Sequence, residues 1–275
     1  MSVIKQVESN RFAYKPYILK RAIRLWIVLI PGLFLTLFLD YIGISFFSGD
    51  VMYSGGEIVG SINGADLTFI NWIANVFFLQ TIVVEPFGTN GALWSLANEF
   101  WYYAACPFVM YLIAGKRALL SCIMLMLIIS AMGLGIAKLF PLWLMGVAVF
   151  ILSRKKIITS KLENIKYLYL IFMLFVLSVI AFRLSIGFDK DIERYTVGFI
   201  FSLLMLAVLA NDRPLVNDKN NLICFTLASF SYSLYVIHTP ILGIFRAIAI
   251  GGDNYWTFTL LNVGMFLLLI LFVVT

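Results

Sequence analysis

The chain has 275 residues, of which 62% are hydrophobic and 12% charged, with a net charge of +6 and a mean hydropathy of +0.99. A soluble domain carries about 45–50% apolar and ~25% charged residues, so too few charges remain to cover a water-facing surface. That excludes a soluble globule, a disordered chain, a coiled coil and a collagen-like fibre. The cations form no strip for phosphate backbones, because no Lys or Arg occurs between Leu25 and Gly115, so nucleic acid is not an expected partner.

Taken in chain order, apolar runs bounded by charge or turn residues predict an all-α, polytopic transmembrane bundle. The expected spans lie at 25–39, 94–114, 118–137, 139–152, 167–182, 195–210, 222–241 and 256–275. Crossing a ~30 Å hydrocarbon core takes about 20 residues, so the short run 139–152, separated from its predecessor only by Lys138, is the weakest of them. The first follows a basic segment, yet Leu39 runs into Asp40-Tyr41-Ile42 without a small-residue cleavage site, so it reads as an anchor. A further run, Leu67 to Val84, carries Asn71, Asn75 and Gln80 and reads as a re-entrant or interfacial helix.

Charge counting supports that choice. With both termini cytoplasmic and eight alternating spans, fifteen Lys and Arg fall inside and five outside, as the positive-inside rule requires. Counting 67–84 as a span would put Lys116 and Arg117 outside and flip the Arg154-Lys155-Lys156 cluster. No linker or internal repeat interrupts the chain, and residues 1–275 read as one membrane-embedded domain. Cys106, Cys122 and Cys224 all fall in apolar stretches without a nearby His, so packing thiols are expected and neither a metal site nor a disulfide framework.

Ionisable residues within spans are costly and are functional candidates by default. Glu99, near the start of the second span, and His238, the only histidine, pass that filter. Ser95, Glu99 and Tyr102 recur at i, i+4, i+7 with Tyr103 adjacent, and Ser231, Tyr235 and His238 do the same on the seventh span. Glu99 lies five residues past Trp94, roughly 7–8 Å from the outer interface at ~1.5 Å per residue, and His238 a similar distance from its own outer end, so one shared site in the outer half of the membrane is expected. At the other face, Lys20, Arg21 and Arg24 share i, i+3 and i, i+4 spacing. They read either as the ordinary basic flank of an anchor or as a phosphate site, since guanidinium forks match phosphate oxygens.

Gly91-Ala92-Leu93-Trp94-Ser95-Leu96-Ala97-Asn98-Glu99-Phe100-Trp101-Tyr102-Tyr103, followed by Pro107, resembles the Trp-Ser-Leu-x-x-Glu-x-x-Tyr-Tyr…Pro signature of the acyltransferase-3 family. Ser231-Tyr232-Ser233-Leu234-Tyr235-Val236-Ile237-His238-Thr239-Pro240 resembles that family's late Ser-Tyr-Ser-x-Tyr-x-x-His-x-Pro motif, and Lys20-Arg21-Ala22-Ile23-Arg24 its Arg-x-x-Arg pair. The resemblance implies a multi-pass enzyme of a bacterial cytoplasmic (inner) membrane. It would move an acyl group, acetyl first among them, from acyl-CoA to a sugar hydroxyl of a surface or exported glycan, including lipid-linked polysaccharide and lipopolysaccharide. It implies acetyl-CoA or another acyl-CoA as donor substrate with no bound cofactor, the glycan acceptor and the bilayer as partners, and no metal. Glu99 and His238 would be catalytic. Lys20, Arg21, Arg24, Trp94, Ser95, Asn98, Tyr102, Tyr103, Ser231 and Tyr235 would line the substrate sites. Family members usually place two more spans before the Arg-x-x-Arg segment, the first with an Arg and a His regarded as catalytic. Met1 lies only twenty residues before Arg21, so both helices and that His are missing from this sequence. The alternatives are an earlier start that supplies them or a degenerate member, and only with a true start at Met1 is no transferase activity expected from this chain alone. The competing expectation is a non-enzymatic glycan-lipid flippase or exporter component, which would have no reason to recognise acyl-CoA.

Overall fold

A computed structural model describes residues 3–47, 53, 66–155, 159–160, 162–184, 189–211 and 218–250. Contacts divide the chain into two units, residues 1–136 with 222–275, and residues 137–221. No strand occurs among the described residues.

In the first unit, α1 (Val3–Glu8) and α2 (Tyr14–Phe46) are followed by α3 (Phe69–Val76), a 3-10 turn (Gly91–Leu93), α4 (Trp94–Ile113) and α5 (Ala118–Ala131). After α6 (Gly133–Leu152), which begins in this unit and continues into the second, come α7 (Ile165–Leu184) and α8 (Lys190–Ala210). The first unit resumes in α9 (Asp218–Ile250). Four described helices, α2, α6, α7 and α8, are long and apolar enough to cross a membrane. Helices occupy seven of the eight expected spans, and the eighth, 256–275, lies outside the described residues, as does the Cys224 side chain. Pro31 and Pro107 sit inside α2 and α4 without ending either.

Two boundaries differ from the sequence reading. The break expected at Lys138 falls instead at Met132 and Gly133, where Gly133 takes φ +71°. The left-handed backbone that glycine tolerates ended the helix, and the charge did not. As a result α6 has 20 residues with Lys138 inside it, and α5 keeps only 14. The run 67–84 forms an eight-residue helix, about 12 Å long, and then turns. Asn71, Asn75 and Gln80 are buried and satisfy that irregular backbone. Asn75 Nδ2 donates to the carbonyls of Asn71 and Glu85 and to Asn71 Oδ1, its Oδ1 accepts from Phe87 N, and Gln80 Nε2 donates to Leu93 O at 2.9 Å. Non-helical backbone at membrane depth is tolerated when protein groups take its hydrogen bonds in this way.

α2 and α4 run in opposite senses. Thr36, in the C-terminal half of α2, accepts from Asn90 Nδ2 just before α4, whereas Tyr14 at the N-terminal end of α2 donates to Ala104 O. Asn90 Nδ2 also donates to Val236 O, tying α9 to both, and a Cβ on Gly32 would stand 2.5 Å from Val236, so only glycine admits this helix crossing. Asp40 is buried, and its carboxylate accepts from Thr89 N at 2.7 Å and from Thr89 Oγ1 at 2.6 Å.

In the second unit α7 and α8 pack together, and no residue of α7 is buried. Asp189 caps α8 by accepting from Asp191 N, and Asp191 pairs with Arg194 and Lys138.

Candidate functional site

Arg21 joins the two polar regions that the sequence placed on opposite faces. Its guanidinium lies 4.7 Å from the ring centroid of Tyr103 and 5.5 Å from that of Tyr17, a cation–π arrangement that leaves the edges of the fork available. The phenol of Tyr103 donates to Glu99 Oε1, one helical turn away, and the phenol of Tyr232 on α9 donates to Glu99 Oε2 at 3.2 Å. Arg24 lies within electrostatic range of both phenols, and the Cys106 thiol is close to Tyr17. Both carboxylate oxygens of Glu99 are therefore held by neutral donors, with two guanidiniums close by.

On the other side of Arg21 lies a cavity of about 440 Å3 lined by Gln6, Arg11, Ala13, Pro16, Tyr17, Lys20 and Arg21. Its volume falls in the range of small-molecule sites, about 300–1,000 Å3. Three cations and no carboxylate line it, so it suits a polyanion.

Glu99 and His238 share no described hydrogen bond. Glu99 meets Tyr232, six residues and about 9 Å along α9 before His238. His238 instead uses Nδ1 with the carbonyl of Tyr235, Nε2 with Thr239, and packs its ring against Tyr235. Since α2 stays helical from Tyr14 and lies antiparallel to α4, Arg21 and Arg24 reach the level of Glu99.

The two helical stripes divide as well. Ser95 Oγ donates to Ala92 O, and buried Tyr102 donates to Ile136 O at 2.8 Å, away from Glu99's partners. Asn98 is buried, Trp94 is largely exposed, and Ser231 and Tyr235 are exposed on α9. Cys122 is exposed and Cys106 half-buried, so neither is the fully packed thiol expected.

Sequence reasoning missed Arg11, Gln6, Tyr17 and Tyr232. Tyr232 adjoins Ser231 in the same motif but lies one residue off the i, i+4, i+7 stripe of Ser231, Tyr235 and His238. Arg11 had no periodic signal, since it lies in the turn between α1 and α2. No group of three or more His, Cys, Asp or Glu that could hold a metal occurs among the described residues.

The chain matches the acyltransferase-3 family model, an acyltransferase domain, over residues 6–275. No curated protein and no solved structure matches it.

Proposed function

Because the chain belongs to the acyltransferase-3 family, we propose that it is a membrane O-acyltransferase carrying an acyl group, acetyl first among them, from acyl-CoA to a sugar hydroxyl of a surface or exported glycan. In the reaction the sugar oxygen forms a bond to the thioester carbonyl carbon, the carbon–sulfur bond breaks, CoA leaves as the thiolate, and the hydroxyl proton passes to a base. The observation that carries this reading is the double role of Arg21, which lines the cationic cavity and stacks on the tyrosine that holds Glu99.

Lys20 and Arg21, with Arg24 behind them, pair the donor phosphates. Guanidinium forks suit that task because they present parallel N–H donors to two oxygens at once. Tyr103 and Tyr232 hold Glu99 in one orientation, so it presents a fixed anionic face to the reacting groups instead of sampling rotamers. A positioned carboxylate can accept or relay the hydroxyl proton, a contribution of about 10²–10⁴-fold in rate. His238 and Tyr235 belong to the wall further along α9.

Acyl-CoA binding by the purified full chain, followed by transfer of a radiolabelled acetyl group to membrane glycan in vesicles, tests the proposal. Saturable CoA binding and labelled glycan are expected. A chain that exports glycan lipid without binding CoA would replace the reading with that of a flippase.

A further inference from the structure

Residues 3–13 form a strap across the cationic cavity, and one side chain from a distant part of the chain moors it. The ammonium of Lys116, in the turn between α4 and α5, donates to Glu8 O at 2.7 Å, to Asn10 Oδ1 at 2.9 Å and to Val7 O at 3.3 Å. An ammonium has three N–H donors, and all three are engaged here. Both carbonyls lie at the C-terminal end of α1, where Val7 O also accepts from Asn10 N and a cation is favoured by the helix dipole. Asn10 takes φ +54°, reversing the chain so that Arg11 N closes on Gln6 O. Val7 is fully buried, and Phe12 packs against the rings of Tyr17 and Tyr111. The strap therefore carries Gln6 and Arg11 into the lining of the cavity opposite Lys20 and Arg21 of α2.

Resting on the acyl-CoA reading above, we infer that Arg11 is the third cation of the donor site, that it recognises the ribose 3′-phosphate of CoA, and that Lys116 is the positioning residue that holds it there. The argument is one of charge and placement. Lys20 and Arg21 are adjacent on one helix and present their charge to one region, as the neighbouring phosphates of a diphosphate require. A third phosphate, on the ribose, points away from that pair and needs a cation from a separate element. Arg11 is exposed, is carried on the strap and has no described carboxylate partner, so its fork is available. Lys116 does not line the cavity and spends its donors on the strap, so its influence on the ligand passes through the strap.

Calorimetric titration of the detergent-solubilised full chain with CoA and with dephospho-CoA, which lacks only the 3′-phosphate, tests this. The wild type is expected to bind CoA about tenfold more tightly, the effect of one charge-assisted phosphate contact. Arg11→Gln is expected to abolish that preference while leaving dephospho-CoA affinity within about twofold, and Lys116→Met to reduce the preference. The double variant should be no worse than Arg11→Gln, because groups acting through one another are not additive. Equal wild-type affinity for the two ligands overturns the inference and leaves the acyl-CoA reading standing, as does an Arg11→Gln variant that weakens both equally. Losses that add in the double variant overturn the part assigned to Lys116. Absence of CoA binding to the wild type sinks both. Arg11 is exposed in a turn, so its variant folds whatever Lys116→Met does to the strap.

Discussion

The first unit holds two carboxylates in very different settings. Asp40 is sealed from solvent and accepts two hydrogen bonds from a single residue, Thr89, with no cation paired to it among the described residues. Glu99 is half-buried and accepts from two phenols on different helices, with Arg21 stacked on one of them and Arg24 in electrostatic reach of both. Their partners set the difference. Asp40 joins the end of α2 to the loop before α4, and closing that loop uses all of its described bonding. Glu99 is linked through Tyr103 to Arg21, which lines a cationic cavity. Burial of an acid inside a membrane protein therefore does not by itself mark chemistry; under the proposed function it is Glu99, in the company of cations, that takes that role.

Substitutions at the two sites should separate fold from function. The largest effect is expected from Asp40→Ala, which leaves the buried N–H and hydroxyl of Thr89 without an acceptor. A loss of about 3 kcal/mol is expected, read as a drop in thermal stability in detergent, with CoA affinity per folded molecule unchanged. Glu99→Gln should do the opposite. Its amide can accept only one of the two phenols, so stability falls by about 1 kcal/mol, while glycan acylation falls about a hundredfold in a vesicle assay. Undiminished acylation by Glu99→Gln would erase the distinction between the two sites.

Gly88→Ala tests the Asp40 end from its other side. Gly88 has φ +58°, and a Cβ there would stand 2.2 Å from Asp40 Oδ2. A loss of about 2 kcal/mol is expected from backbone strain and the displaced carboxylate, again without a change in CoA affinity. The smallest effect is expected from Tyr232→Phe, which removes one of the two bonds to Glu99. Acylation should fall about tenfold and stability by under about 1 kcal/mol, measured in the same two assays. A Tyr232→Phe variant that melts like Asp40→Ala would show that Glu99 is also a structural tie.

Much of this arrangement could be read from residue order, and what could not has identifiable causes. Helices were legible because their apolar runs are long, and the exception at 67–84 was legible because Asn71, Asn75 and Gln80 are too polar to face lipid. They prove to be buried ties within the loop. The break before α6 was missed because a charged residue, Lys138, looked like a boundary while Gly133 looked like one glycine among many. Lys20 and Arg21 were legible from spacing on one helix. Arg11 and Lys116 were not, since a turn has no periodicity and a contact across 106 residues leaves no local trace. Tyr232 was out of reach for another reason. Periodicity identifies the residues that share a face of α9, but only the partner helix decides which face is used.

The side-chain amide of Asn90 reaches Thr36 across 54 residues and the carbonyl of Val236 across 146. Read in time, that bond orders the birth of the molecule. When α2 and α4 leave the ribosome, the second partner of this amide is still about 6–25 seconds from existence, at ~5–20 residues per second. Until α9 arrives, the nascent chain must shelter a polar group beside Gly32, at the spot that Val236 will fill. The intervening helices 137–221 are inserted while the earlier part waits for its last member. A chain cut before α9 would thus enter the bilayer with this amide held by Thr36 alone, as a substrate for quality-control proteolysis.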